Sequence, residues 1–260
     1  LSKRYQKDKA FFLEQFKKCD EVTYLSEKQA NVLDARRCTF VIDGSLASRI
    51  NEYACQKGTS AFMLFTAALS IYINRIKMNA EKFYIGTAVL NRSGVKEQNT
   101  AGMFVNTVPM LIELNNDASF AENLSVIEET AFSVFRHQKF NYGDVLAAIR
   151  EQYHFSEKLY DVSISYQNAR IMDADVKTTW YHNGAQAESL QVHIDDRDNE
   201  GIFRIHYDYS ICKFSEKDIE HIHSHICELL FDAVANDNEK IRCLKLLLPD
   251  EENLIRYTFN

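Results

Sequence analysis

The chain has 260 residues, with 30 Lys and Arg against 37 Asp and Glu, a formal charge of −7. That acidic balance argues against nucleic acid as a partner, because such affinity comes from cations neutralising phosphates. With 17 Phe and 13 Tyr, the chain has enough apolar surface to fold rather than stay disordered.

The first expected element is a helix over residues 3–18, with Phe11, Phe12 and Phe16 along one side. A polar loop over 20–36 leads to a strand at 37–42. Asp43 and Ser45 can cap a helix running to about Gln56, stopped at Gly58. Thr59 and Ser60 open a second helix to about Met78. It is apolar on nearly all sides, which marks it as the buried central helix. Its most apolar part, 61–73, is shorter than the ~20 residues a membrane span needs. Strands are expected at 82–90 and 104–114, separated by a polar loop over 91–101. Ser119 starts a helix in which Phe120, Leu124, Ile127, Ala131 and Val134 recur at helical spacing. A short helix over 143–151 follows. The period then changes: 161–166, 177–182, 190–195 and 202–209 alternate apolar and polar residues, predicting a strand and then a meander with one wetted face. Ser215 and Asp218 approximate a capping box for an acidic helix. An apolar strand-like run at 244–248 and a short helix after Pro249 end the chain. The sum is an α/β sandwich, a mixed sheet with packed helices. Two prolines and no Gly/Ser-rich linker favour one compact unit. The chain does not begin with Met and shows no signal peptide, as expected for a piece of a longer cytoplasmic protein. Six cysteines without a CxxC pair read as reduced thiols.

Few residue sets suggest chemistry. His221, His223 and His225 lie in one helix, but only the first and last share a face, and zinc needs more ligands than that face offers; no metal is expected. There is no Gly-x-Ser-x-Gly elbow, no phosphate loop and no dinucleotide fingerprint. The acidic cluster of Asp195, Asp196, Asp198 and Glu200 reads as a solvated hairpin turn. His137 reads as a helix C-terminal histidine favoured by the dipole. Residues alone thus give no catalytic set.

Two segments, IGTAVLNR at 85–92 and AGMFVNTVP at 101–109, carry a family pattern. The chain resembles the condensation domain of non-ribosomal peptide synthetases, which shows G-T-P-V-x-x-R, a loop, then I-G-x-F-V-N-T. HQKFNY at 137–142 is similar to the family's H-Q-D-x-P-F-E. LYDV at 159–162 through SYQN at 165–168 is similar to L-F-D-V-x-F-S-Y-Q-N. AFFLEQF at 10–16 resembles the A-Y-W-x-x-Q-L that opens the family's second half, and LLPDEE at 247–252 its exit into the next module. Departures are Leu111 in place of an arginine, Lys139 of an acid, Asn141 of Pro and Gly143 of Glu. The strings FVNTVP and SYQN do not fit the epimerisation and heterocyclisation relatives.

The resemblance implies a lobe of the chloramphenicol-acetyltransferase type, one of two around a cleft. The family's H-H-x-x-x-D-G motif sits in the first lobe, and this sequence has no adjacent pair of histidines. Residues 1–260 are therefore expected to be the C-terminal lobe alone, with 249–260 as the exit toward a following module. The activity implied is amide formation between aminoacyl or peptidyl thioesters on carrier domains, with this fragment inactive by itself. No cofactor would bind directly; phosphopantetheine would arrive on upstream and downstream peptidyl-carrier domains. The implied cleft-positioning residues are Arg92, pairing with the motif aspartate of the N-terminal lobe, Asn106 facing the channel, and Ser165 and Gln167 near the cleft. Residue by residue, Arg92 also reads as a surface arginine and Asn106 as a satisfier of backbone groups. Two other functions stay open: a non-catalytic platform binding carrier or partner proteins, and a stand-alone acyltransferase using His137. An excised lobe is also expected to form a homodimer through its exposed cleft face.

Overall fold

The computed structural model describes residues 2–28, 32–42, 44–92, 94–168, 179–197 and 201–258. In chain order the elements are α1 (Lys3–Lys18), β1 (Ala35–Ile42), α2 (Gly44–Lys57), α3 (Ala61–Ile76), β2 (Lys82–Val89), α4 (Val95–Gln98), β3 (Asn106–Glu113), α5 (Phe120–Arg136), α6 (Tyr142–Tyr153), β4 (Val162–Gln167), β5 (Leu190–Asp195), β6 (Phe203–Ser210), α7 (Glu216–Ala235) and α8 (Pro249–Tyr257). Six strands form one mixed sheet in the order β1-β6-β5-β4-β2-β3. β2, β4 and β5 run parallel; β3 and β6 run against them.

Helix starts follow from side-chain caps. The Ser60 hydroxyl accepts from Met63 N, and both Ser119 with Glu122 and Ser215 with Asp218 form complete capping boxes. Of the 16 residues of α3, 13 are buried. The helix packs against β4 while α2, α5 and α7 surround it. Three of its buried polar side chains donate to backbone: Thr66 and Ser70 to the carbonyls four residues back, and Asn74 to the Ala80 carbonyl. Among the described residues, no single helix is long and apolar enough to cross a membrane.

Five expectations need correction. Residues 179–182 form no strand, and 177–178 lie outside the described residues. The 190–195 strand instead pairs in parallel with β4 and antiparallel with β6, so only its second half behaves as a meander. The apolar run at 244–248 is an irregular strap, fixed where Arg75 donates to the Arg242 and Leu244 carbonyls. The loop at 91–101 contains the single-turn helix α4. Finally, Asp195 is not part of a solvated turn: it is 7% exposed within β5 and accepts two bonds from the Arg197 side chain. Asp198 and Glu200 lie outside the described residues.

Candidate functional site

Topology gathers the four sequence-selected residues at one end of the sheet. β2 and β4 are parallel, so Arg92, three residues beyond β2, and Ser165 and Gln167, in the last part of β4, lie at the same end. β3 runs back, so its first residue, Asn106, joins them opposite Val89. The C-terminal ends of parallel strands are the usual place for ligands in open α/β sheets.

The four do not form one cluster. Arg92 donates to the carbonyls of Glu97, Thr100 (2.6 Å) and Gly102 (2.7 Å), and its guanidinium lies 4.2 Å from the Phe104 ring centroid. It is thus a clamp on the loop between β2 and β3. Lys139 closes the same loop from α5's end, donating to the Asn91 carbonyl and to both Glu97 oxygens at 2.7 Å each. The family's acid at this position is replaced by the cation that this loop requires. Asn106 donates to the Gln138 carbonyl at 3.3 Å, and Gln138 in turn accepts from Asn91 N at 2.8 Å. Asn91 has φ of +55°, a left-handed turn that asparagine tolerates better than most residues. Two other departures are structural. Leu111 is 1% exposed in the core, and Asn141 caps α6 by accepting from Asp144 N.

Ser165 and Gln167 belong to a second group. Strand register stacks three polar rungs on one sheet face. Gln167, Asp195 and Arg204 make one, Ser165, His193, His206 and Thr39 the next, and Ser163, Gln191, Asp208 and Arg37 the third. Within them, Ser165 Oγ lies 2.7 Å from His193 Nδ1, and His193 Nε2 lies 3.2 Å from Asp208 Oδ2. Arg37 holds Asp208 with a two-pronged pair at 2.6 and 2.7 Å. His206 Nδ1 is 2.8 Å from Thr39 Oγ1, and its Nε2 is 3.5 Å from Asp195, too long for a firm hydrogen bond. Trp180 roofs this group: its ring is 4.7 Å from the Arg37 guanidinium, 4.7 Å from the His193 ring and 5.7 Å from the His206 ring.

Charge explains the ionisation of these groups. Burial pushes the Asp208 carboxyl up, but the bonds and charges of Arg37 and His193 outweigh it and hold it well below the usual carboxylate range. Burial likewise raises Asp195, and Arg197 more than reverses it. His206 is lowered by burial and by the Arg37 charge, with Asp195 opposing in part.

The other histidines do structural work. His137 lies 2.7 Å from Asp8 and stacks on Phe11 at 4.1 Å, tying α1 to the end of α5. His223 stacks on Phe40 at 4.4 Å and bonds Tyr207 at 3.1 Å, and burial pulls it down to about 4. His225 bonds Glu251 at 2.7 Å, tying α8 to α7. Of the histidine run, His223 and His225 thus make separate structural contacts. Residue reasoning missed His193, Asp208 and Arg37. The signal was present in QVHID and RIHYD, which place His and Asp two residues apart on the polar side of adjacent strands.

This fold matches known proteins. A family model described as Condensation domain covers residues 1–255. A plipastatin synthase of Bacillus subtilis (strain 168) is 29% identical over 265 residues, taking in 100% of this chain and 10% of that protein. Surfactin synthase subunit 1 of the same strain is 28% identical over 256 residues, 96% of this chain and 7% of that protein. Among solved structures, the condensation domain from Monacolin K polyketide synthase superposes with a TM-score of 0.80 at 15% identity, over 91% of this chain and 59% of that chain. The first condensation domain of the CDA synthetase gives 0.75 at 14% identity, over 95% of this chain and 54% of that chain. The chain thus spans a tenth or less of these two synthases and little more than half of the solved condensation chains. Matched by the family model over nearly its whole length, and sharing the fold of the solved members, the chain belongs to the condensation-domain family.

Proposed function

We propose that the chain is the C-terminal lobe of an amide-forming condensation domain in a non-ribosomal peptide synthetase. The observation that carries this reading is that the whole fold superposes on little more than half of a solved condensation chain. On this reading an N-terminal lobe supplies the H-H-x-x-x-D-G histidine, and upstream and downstream peptidyl-carrier domains bring the two thioesters on phosphopantetheine arms. Residues 249–260 lead toward the next module, and the setting is the cytoplasm. Catalysis in such a cleft rests on holding two tethered groups in a near-attack geometry. Arg92 contributes by shaping the loop between β2 and β3, with the motif aspartate of the other lobe as a further partner. Asn106 fixes the end of α5 beside that loop, and Ser165 and Gln167 line the polar face. On this reading His137 ties α1 to the end of α5 through Asp8.

The test is reconstitution. This chain is mixed with, or fused to, a lobe bearing H-H-x-x-x-D-G, and two loaded carrier proteins are added. Amide product by mass spectrometry is expected from the pair and from neither lobe alone. Product from this chain alone would overturn the reading. Carrier binding without product, from a lobe pair that assembles, would favour the non-catalytic platform instead.

A further inference from the structure

Ser165, His193 and Asp208 stand in line across β4, β5 and β6. His193 Nδ1 faces Ser165 Oγ at 2.7 Å, and Nε2 faces the Asp208 carboxylate at 3.2 Å. Both Asp208 oxygens also accept from Arg37, so the carboxylate stays ionised and can only accept. An imidazole nitrogen aimed at a carboxylate keeps its proton, which leaves the lone pair on the other nitrogen. Nδ1 therefore accepts from the Ser165 hydroxyl, and the oxygen's lone pairs are left for a donor on the sheet's polar face. On the far side of His193 lies a cavity of about 250 Å³ lined by His193, Asp208, Arg37, His182 and Trp180, but not by Ser165.

We propose that Ser165, His193 and Asp208 form a proton relay for the amine nucleophile, an inference that rests on the condensation reading above. A free α-amine is largely an ammonium at neutral pH, with a pKa of about 8, and has no electron pair to attack with. One ammonium proton passes to Ser165 Oγ as the Ser165 hydroxyl proton passes to His193 Nδ1. The freed nitrogen pair forms the C–N bond while the thioester C–S bond breaks, and the departing thiolate takes the second nitrogen proton. Asp208 stabilises the imidazolium without being protonated, and once the amide leaves, the Nδ1 proton goes back to Ser165 Oγ as the hydroxyl proton passes to water on the polar face, which restores the Nε2–H tautomer. The charged and titratable groups facing His193 are Asp208 and Arg37, His206 across the strand, His182 at 3.7 Å from the same carboxylate, and Asp195 on its own strand. Ser165 sits in mid-strand rather than on a sharp turn with spare N–H groups to hold an oxyanion. It is therefore a proton carrier and not an acyl acceptor.

Two measurements test this. In the chain as it stands, nitrogen-15 imidazole spectra at neutral pH should show His193 as the Nε2–H tautomer, and Ser165→Ala should leave that preference in place because Asp208 sets it. An Nδ1–H tautomer would overturn the relay. In the reconstituted two-lobe domain, His193→Gln should slow amide formation roughly a hundredfold at pH 7. The gap should close as the pH rises past the amine's own pKa, because the nucleophile then arrives deprotonated. A loss of constant size at every pH, the mark of a purely structural role, would overturn the relay, as would no loss. So would labelling of Ser165 by a fluorophosphonate, which would make it a nucleophile. Absence of product from the unsubstituted two-lobe domain would instead count against the condensation reading, with the tautomer still deciding the relay.

Discussion

At Asp208 a carboxylate is 5% exposed at its side chain, a placement that costs several kcal/mol unless the charge is paired and bonded. Arg37 supplies the pairing, and the carboxyl is consequently held well below its ordinary range. The fold thus favours the ionised form. Its stabilisation is complete above the unfolded carboxyl pKa of about 4 and drains away as the pH falls below that value. Asp208→Asn leaves Arg37 without its counter-charge and should cost about 3 kcal/mol at pH 7. The difference in urea midpoint from the parent chain should shrink on acidification below pH 4, because the unfolded parent then takes up the proton that its folded carboxylate refuses. His223 acts in a higher window. Burial holds it down to about 4 against about 6.5 in an unfolded chain. The unfolded state then binds the extra proton, and stability falls as the pH drops from 6.5 to 4, by at most about 3 kcal/mol. His223→Phe keeps a ring stacked on Phe40 and should flatten that slope; an unchanged slope would assign the acid loss to other groups. Gly86 makes a different demand. A Cβ there would sit 2.7 Å from Tyr160 Cζ and 2.8 Å from its Cδ2, and Tyr160 is 3% exposed. Gly86→Ala should therefore cost about 1–3 kcal/mol by overpacking, read as a lowered thermal midpoint. Tyr160→Phe should not relieve it, because the ring carbons are what collide.

The segment between β2 and β3 is held by a few charged contacts rather than by a core. Leu90, Val95 and Met103 are 73, 75 and 88% exposed, so apolar burial does not fix it. Arg92 and Lys139 do, through carbonyls and Glu97. Arg92→Ala should accelerate tryptic cleavage after Lys96 about tenfold or more, since bonds to a charged group contribute roughly 1.5–3 kcal/mol. Arg92→Lys should not restore protection, because a single ammonium cannot reproduce the spread of the guanidinium fork. Cleavage at the parent's rate in Arg92→Ala would leave Lys139 as the sole clamp. This division also explains what was legible in the sequence. Helices announced themselves through Ser60, Ser119 and Ser215, whose caps are local chemistry, and α3 through its apolar run. The strap at 244–248 misled because an apolar run can lie along a surface as well as in a sheet; Arg75, far away in sequence, decides it. The single turn α4 is too short for any periodic signal.

Across the whole molecule, the sheet divides two unlike environments. One face is apolar and covered by α3, α5 and α7; the other carries the polar rungs and Trp180. The alternation in β4, β5 and β6 foretold that one face would be polar. It did not foretell that β4 and β5 would be parallel, because period-two patterns are the same in either direction. Only the register brings Ser165 to His193 and His193 to His206. Arg92 and Asn106 were singled out through family resemblance, whereas the Arg37–Asp208–His193 group, built by residues up to 171 positions apart, was not. This layout gives a direct test of the proposal that a second lobe packs on this one. Trp180 is the only tryptophan in the chain, and it lies on the polar face between Arg37, His193 and Arg197. If the second lobe closes over that face, titration with a tryptophan-free version of it should change Trp180 emission and saturate at one lobe per chain. If an excised lobe instead pairs with itself there, emission should drift with dilution of the chain alone, and the second lobe should suppress the drift by competing for the face. Constant emission in both titrations, with binding established by light scattering, would move the contact away from the polar rungs and toward the Arg92 loop.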